Sequence, residues 1–279
     1  MTPLLAPDPA LDAYESLAPF YDEFTTSYDH ERWLANIESL ALELGLTGRR
    51  LLDVGCGTGK SFEPMLRRGY EVTACDLSPA MVEVARGRPG CEAVDVVTAD
   101  MRDLPDLGVF DLATCLDDGL NYLLSAEDLA AAFAGVERNL RGGGLFVFDL
   151  NSLATYRREF AGQAEVERED TIFSWLGAGR VDAEPGALSS ALIEVFSSEG
   201  GERRLRARSR HVQRHHPPEL VRSCLGAAGF ELAEVRGQVT GARLECGPDD
   251  SRHVKLVYFA RKAVDARASR NGRGEVLTC

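Results

Sequence analysis

The sequence lacks several features that would otherwise assign it to a class. No apolar run approaches the ~18 residues needed to cross a bilayer, so no membrane partner is expected. Residues 1–14, MTPLLAPDPALDAY, carry neither a basic region nor a sustained apolar one and do not read as a secretory signal. No C-x-x-C pair occurs among Cys56, Cys75, Cys91, Cys115, Cys224, Cys246 and Cys279. Seven scattered cysteines argue against a zinc site or a disulfide framework and for a reducing cytoplasm. Cys75 and Cys115 lie in apolar runs and read as small buried hydrophobes. Positive charge is scarce too: 31 Lys and Arg face 44 Asp and Glu, a formal net charge of −13. A nucleic-acid partner is therefore not expected, because phosphates are neutralised by clustered cations. The expected partner is a small neutral or cationic molecule, with no metal, and the chain is expected to be a monomer or homodimer.

What is present describes a globular α/β protein. A hydrophobic fraction of 44% suffices for a buried core, and 279 residues suit one large domain with an insertion. Between residues 49 and 149 short apolar runs alternate with helical patterns, the mark of βαβ units and a parallel sheet. Strands are expected at Arg50–Val54, Tyr70–Asp76, Glu92–Thr98, Phe110–Leu116 and Gly144–Asp149. Helices are expected at Ser61–Arg68, Pro79–Gly87 and Ala126–Leu140. Ser78 with Pro79, and Ser125 with Asp128, supply helix starts. Two amphipathic segments, Leu11–Glu23 and Glu31–Leu44, precede the sheet. After it, Leu192, Glu194 and Phe196 lead through Ser-Ser-Glu-Gly-Gly into Leu205, Ala207, Ser209 and His211, which reads as a β-hairpin. A helix at Pro218–Ala228 and strands at Phe230–Val235 and His253–Ala260 resume the pattern. The predicted division is an N-terminal helical lid (1–45), an α/β core (46–155), a β-rich insertion covering the substrate (156–214), completion of the core (215–264) and a polar, loosely ordered tail (265–279).

The strongest local signal is Leu51-Leu52-Asp53-Val54-Gly55-Cys56-Gly57-Thr58-Gly59-Lys60, a strand entering a glycine turn and then a helix. Glycines allow backbone to approach a ligand and adopt positive φ. The spacing is G-x-G-x-G, one residue tighter than a dinucleotide loop. Asp53 before the first glycine would oppose a pyrophosphate but suits a ligand carrying a sulfonium and an ammonium. Asp76 ends the second strand, where a carboxylate can accept from ribose hydroxyls. Asp100 ends the third and can accept from an adenine amino group while Met101 packs on the ring. Carboxylates after three successive strands fit the rule that ligands sit at the carboxyl ends of strands in open α/β sheets.

On these motifs, with Leu116–Tyr122 after the fourth strand, Phe148-Asp149-Leu150-Asn151 after the fifth and the opening Tyr14–Asp22, residues 14 to 150 resemble a class I S-adenosylmethionine-dependent methyltransferase of the small-molecule type. The resemblance covers half the chain strongly and the C-terminal third only in outline. It implies a Rossmann-like, seven-stranded, mostly parallel sheet with an antiparallel last strand and helices on both faces, together with the N-terminal lid and the hairpin insertion. The implied cofactor is S-adenosyl-L-methionine, with S-adenosyl-L-homocysteine as product. The implied cofactor residues are Tyr14, Tyr21, Asp53, Gly55, Cys56, Gly57, Asp76, Leu77, Asp100, Met101, Leu116 and Tyr122, with the two N-terminal tyrosines closing the site.

Methyl transfer demands alignment above all, and a general base only where the acceptor carries a proton. Asp117 or Asp118 can orient an acceptor amine, and Asn121 or Tyr122 can reach the methionine end or the substrate. Tyr21 is a further catalytic candidate. His215 and His216 are candidate bases for a phenol, indole or hydroxyl, whereas His30 and His253 read as structural. Arg203, Arg204, Arg206, Arg208 and Arg210 crowd one hairpin strand, either as a solvated face paired with Glu165–Glu169 or as a grip on a substrate carboxylate. The rival readings are a nicotinamide-dependent oxidoreductase and a cofactor-binding relative without transfer activity; spacing and Asp53 oppose the first, the intact glycines and aspartates the second.

Overall fold

The computed structural model describes residues 8–26, 28–199 and 202–264. Asp8 accepts from Ala10 N and Leu11 N and, with Pro9 behind it, starts α1 (Pro9–Leu17). A 3-10 turn leads into the short α2 (Tyr21–Phe24), and Asp29 caps α3 (His30–Glu43). The core then runs β1 (Arg50–Val54), α4 (Glu63–Arg67), β2 (Glu71–Asp76), α5 (Pro79–Arg86), β3 (Asp95–Thr98), β4 (Phe110–Cys115), α6 (Ala126–Asn139) and β5 (Leu140–Asn151). Ser78 and Ser125 cap α5 and α6 by accepting from Met81 N and Asp128 N. After α7 (Leu153–Arg158) come β6 (Gln163–Arg168), β7 (Thr171–Gly177), β8 (Leu188–Glu199) and β9 (Glu202–Arg214). The chain returns through α8 (Pro218–Ala227), β10 (Phe230–Val239), β11 (Arg243–Glu245) and β12 (Lys255–Lys262).

The large sheet has the order β11-β10-β12-β5-β4-β1-β2-β3, with β1 to β5 parallel and β12 antiparallel to both of its neighbours. It has eight strands where the resemblance implied seven; the added one is β11, a three-residue edge strand too short to show a period. The insertion is likewise larger than a hairpin: β6-β7-β8-β9 form a four-stranded antiparallel sheet. Its first strand, QAEVER, is an exposed edge whose polar sequence gives no apolar alternation. The helix expected from Ser61 begins at Glu63, and the strand expected from Glu92 begins at Asp95. The polar tail and the last two residues of Ser-Ser-Glu-Gly-Gly lie outside the described residues.

Both faces of the large sheet are covered. Phe133 and Val136 of α6 and Val221 and Leu225 of α8 pack on Phe146, Phe148 and Tyr258, with Phe148 and Tyr258 stacked at 5.0 Å. On the opposite face Trp33 and Ile37 of α3, Met65 of α4 and Val82 of α5 meet Leu145, Val147 and Phe259. Cys75 and Cys115 are buried within strands. Leu17, Phe20, Tyr21 and Phe24 pack against Phe173, Ile193 and Val195 of the small sheet. The N-terminal helices and the inserted sheet thus make one roof over the carboxyl ends of β1 to β5.

Candidate functional site

Under that roof lies a cavity with about 900 Å³ of empty space, counting its open mouth. Such a volume is in the range of ligand sites, roughly 300–1,000 Å³. At one end its wall is the loop after β1. Gly55, Gly57 and Gly59 have φ of +71°, +54° and +87°, a region that L side chains rarely adopt. At Gly59 a Cβ would meet the Phe62 ring at 2.7 Å, so the turn into α4 admits no side chain there.

Asp76, at the end of β2, accepts from Gly57 N at 2.8 Å and from Ser78 N at 2.9 Å. Burial pushes its carboxyl up, and these backbone donors act in the opposite direction. Asp100 accepts from the Arg102 backbone N–H and guanidinium at 2.6–2.9 Å. Burial would raise it, but Arg102 outweighs burial and holds it below the ordinary value. Gly55, Cys56, Gly57, Leu77, Met101 and Leu116 line the same space. Asp53 does not line it. The residue is buried beneath the loop, with its oxygens taken by Ser61 Oγ at 2.5 Å and Thr114 Oγ1 at 2.7 Å. It shapes the turn from below, a correction to direct contact.

The lid is fastened to each strand-end loop by one acidic residue, and the three stand seven apart. Asp8 pairs with Arg102 at 2.6 Å. Glu15 accepts from Ser78 Oγ at 2.7 Å and Ala80 N at 3.0 Å. Asp22 accepts from Thr58 Oγ1 at 2.5 Å and pairs with Arg88 at 2.6 Å. Lys60 Nζ donates to the Asp22 and Thr25 carbonyls at 3.2 and 3.3 Å.

A second tie joins the lid to β9. Tyr14 Oη contacts Tyr122 Oη at 2.9 Å, which reaches His211 Nδ1 at 2.7 Å; His211 Nε2 is 2.8 Å from Ser209 Oγ. Ser209 Oγ donates to the Ala13 carbonyl at 2.7 Å. Burial pushes His211 down to about 4, so its ring is neutral at neutral pH. The directions are then fixed. Ser209 accepts from Nε2–H, Nδ1 accepts from Tyr122, and Tyr122 accepts from Tyr14.

The other end of the cavity is acidic. Asp117 and Asp118, directly after Leu116, have consecutive positive φ of 59° and 57° without being glycine. Such strain persists where surroundings over-determine it, and it clusters at functional sites. The turn sends the two carboxylates to different duties. Asp118 accepts from Gln213 Nε2 at 2.5 Å and from Lys255 Nζ at 3.2 Å. Asp117 lines the cavity, 2.8 Å from His30 Nε2 and 3.5 Å from Lys255 Nζ. Lys255 lies closest to Asp149, at 2.7 Å. Burial pushes Asp149 up to about 6, against the pull of Lys255. Burial alone would lower Lys255, but the three carboxylates hold it well above its ordinary value. For Asp117 burial is likewise outweighed, by Lys255 and then His30, and it is held low.

Tyr14, Tyr21 and Tyr122 also line the cavity. Burial pushes the Tyr21 hydroxyl far up, with Asp117 and Asp118 adding to it, so it stays a neutral phenol. His215 and His216 are not brought to the cavity, a second correction. His215 is fully buried against Asp250 and the Gly186 N–H, while His216 contacts the Leu123 carbonyl at 3.0 Å. They lock β9 and the start of α8. Asn121 is buried among Tyr156, Asn151 and the Arg214 carbonyl. In the arginine strand, Arg203 pairs with Glu165 and Arg208 with Glu194; none of the five arginines lines the cavity. Two residues of the cavity's acidic end were not among the candidates read from the sequence. His30 reads there as structural. Lys255, a lysine opening an apolar strand, was the available sign of a buried cation.

Three comparisons accompany this geometry. Residues 51–144 match the methyltransferase domain family. The putative methyltransferase YqeM of Bacillus subtilis (strain 168) is 30% identical over 253 residues, covering 90% of this chain and 97% of that protein. An S-adenosylmethionine-dependent methyltransferase of Clostridium acetobutylicum ATCC 824 superposes with a TM-score of 0.74 at 22% identity over 90% of this chain and 99% of the other. The sugar N-methyltransferase KedS8 of Streptoalloteichus sp ATCC 53650 gives 0.67 at 24% identity over 87% and 92%. Among the described residues no helix is long and apolar enough to cross a membrane.

Proposed function

The chain belongs to the class I S-adenosylmethionine-dependent methyltransferases, and from that footing we propose that it methylates an aliphatic amine on a small molecule of the aminosugar type. The carrying observation is Asp117, an ionised carboxylate held at the cavity wall on a strained turn, with neutral phenols around it. KedS8, which shares the fold, is a sugar N-methyltransferase.

The residues fit the cofactor. A Cβ at Gly57 would stand 3.9 Å from the Tyr21 ring, in the space between loop and lid, so glycine keeps that channel open. Gly55, Cys56 and Gly57 would hold the methionine part, Asp76 and Leu77 the ribose, and Asp100 with Met101 the adenine. Leu116 and the ordered pair Tyr14–Tyr122 would close the space between donor and acceptor. When bound, S-adenosylmethionine supplies an activated methyl on a cationic sulfur. The protein's part is alignment and exclusion of water, worth up to roughly 7–11 kcal/mol in well-oriented systems. Asp117 accepts a hydrogen bond from the amine and turns its lone pair toward the methyl. Because His30 and Lys255 keep Asp117 ionised, it orients the nitrogen and does not store a proton; an ammonium substrate gives up its proton to water before its lone pair is turned to the methyl. Tyr21, remaining a phenol, is a wall and a donor, not a base.

The test is an assay of S-adenosylhomocysteine release with D-glucosamine and D-galactosamine set against glucose, galactose and a catechol. Turnover is expected with the amines; turnover confined to the hydroxyl acceptors overturns the reading.

A further inference from the structure

We infer that His30 is a positioning residue for the acceptor amine: its Nε2–H engages Oδ2 of Asp117, so that Oδ1, 3.5 Å from Lys255 Nζ, is left to accept from the substrate nitrogen. The inference rests on the amine reading above. Its first support is the division of charge. Lys255 is shared by three carboxylates and lies nearest Asp149, at 2.7 Å against 3.5 Å for Asp117. At 3.5 Å that contact is too long for a full hydrogen bond. Asp117 therefore needs a donor of its own, and among the described residues His30 supplies it, at 2.8 Å.

The second support is how His30 is held. It is buried, lines the cavity, and has Asp117 as its hydrogen-bond partner, while its Nδ1 is buried without one. The His30 ring is kept by aromatic packing: Tyr28 meets it edge-on at 4.8 Å and in turn meets Trp33 at 5.3 Å. Among the described residues Asp117 is the hydrogen-bond partner of Nε2. A carboxylate only accepts, so the contact with Asp117 requires a proton on Nε2.

The third support is the charge around Asp117. Lys255 faces it from β12 and Lys60 from the loop after β1, both favouring the carboxylate. Against it stand Asp149 from β5 and Asp53 from β1. Tyr21 and Tyr28 face it from the lid side as neutral phenols. Asp118 adjoins it in the same turn, bound to Lys255 and Gln213. Removing the His30 donor from this balance moves Asp117 toward protonation, the state that cannot accept from an amine.

The experiment uses the full chain with D-glucosamine as probe at saturating S-adenosylmethionine. His30→Phe keeps a ring and deletes the donor, while His30→Gln restores an N–H near the Nε2 position. The expected result for His30→Phe is a KM for glucosamine raised on the order of 10-fold and a cofactor KM within about 2-fold of wild type. The acid limb of its kcat/KM profile should move to higher pH, and His30→Gln should recover most of both. An unchanged glucosamine KM and an unmoved acid limb overturn the inference. If His30→Phe does not fold, His30→Gln is set against His30→Asn, whose shorter amide cannot reach; equal glucosamine KM values overturn it as well. Failure of the amine reading looks different: Asp117→Asn would then leave the glucosamine KM unchanged, or glucose would outcompete glucosamine as acceptor.

Discussion

The two ends of the cavity are built on opposite plans. The end proposed for the donor is drawn from residues 55–102 and is built largely from backbone: glycines of positive φ, N–H groups aimed at Asp76, and carboxylates placed where parallel strands stop. The end proposed for the acceptor gathers single side chains from Tyr21, His30, Asp117, Tyr122, His211 and Lys255, which belong to five separate segments. At the donor end the pattern of the chain suffices, because each contact follows from where a strand ends. At the acceptor end tertiary structure decides, because each contact needs two distant elements to meet. Two carboxylates, one buried and one partly exposed, show the contrast. Burial pushes Asp53 up to about 6 despite its Ser61 and Thr114 donors, whereas Asp117 is held low by the cations beside it.

The sharpest way to break this contrast is Asp117→Asn. The amide keeps shape but cannot hold an amine as a carboxylate does. A fall in kcat/KM for the amine on the order of 10³-fold, about 4 kcal/mol, is expected with cofactor affinity unchanged. Calorimetry with S-adenosylhomocysteine checks the second half; a joint loss would mean that the two ends are not separable. Next comes Asp53→Asn. A carboxyl whose folded pKa is raised contributes stability that is complete below its unfolded pKa, near 4, and is lost as pH rises through about 6. The asparagine variant should therefore gain on wild type as pH rises from 4 to 7, by on the order of 3 kcal/mol, in urea unfolding without cofactor. A pH-independent difference would mean that the charge is solvated.

Asp76→Ala should weaken cofactor and product alike by about 30-fold, roughly 2 kcal/mol, since the Gly57 and Ser78 N–H groups lose their acceptor. Unchanged calorimetric affinity would remove Asp76 from the donor end. The smallest effect belongs to His216→Gln, which should leave kcat within about 3-fold of wild type, the histidine lying outside the cavity. A loss of orders of magnitude in folded protein would restore it to the chemistry.

The same contrast explains what could be read in advance. The α/β alternation, the caps at Ser78 and Ser125 and the glycine loop are local and periodic, so they stand in the sequence as they stand in the fold. The aspartates at the ends of β2 and β3 follow from strand length alone. His30 could not be read, because its meaning comes from a partner 87 residues away. His215 and His216 misled for the converse reason: a histidine is a natural base by its free pKa, yet Ala187 and Leu123 draw these two into the interior. The strand β6 was hidden because its edge position calls for charge where an inner strand would call for valine or isoleucine.

Asp8, Glu15 and Asp22 each grip a loop that faces the donor, and the helices that carry them also carry Tyr14 and Tyr21. The walls of one half of the cavity therefore hang on the same three grips that brace the loops of the other half. Loosening any one of them would slacken both halves together.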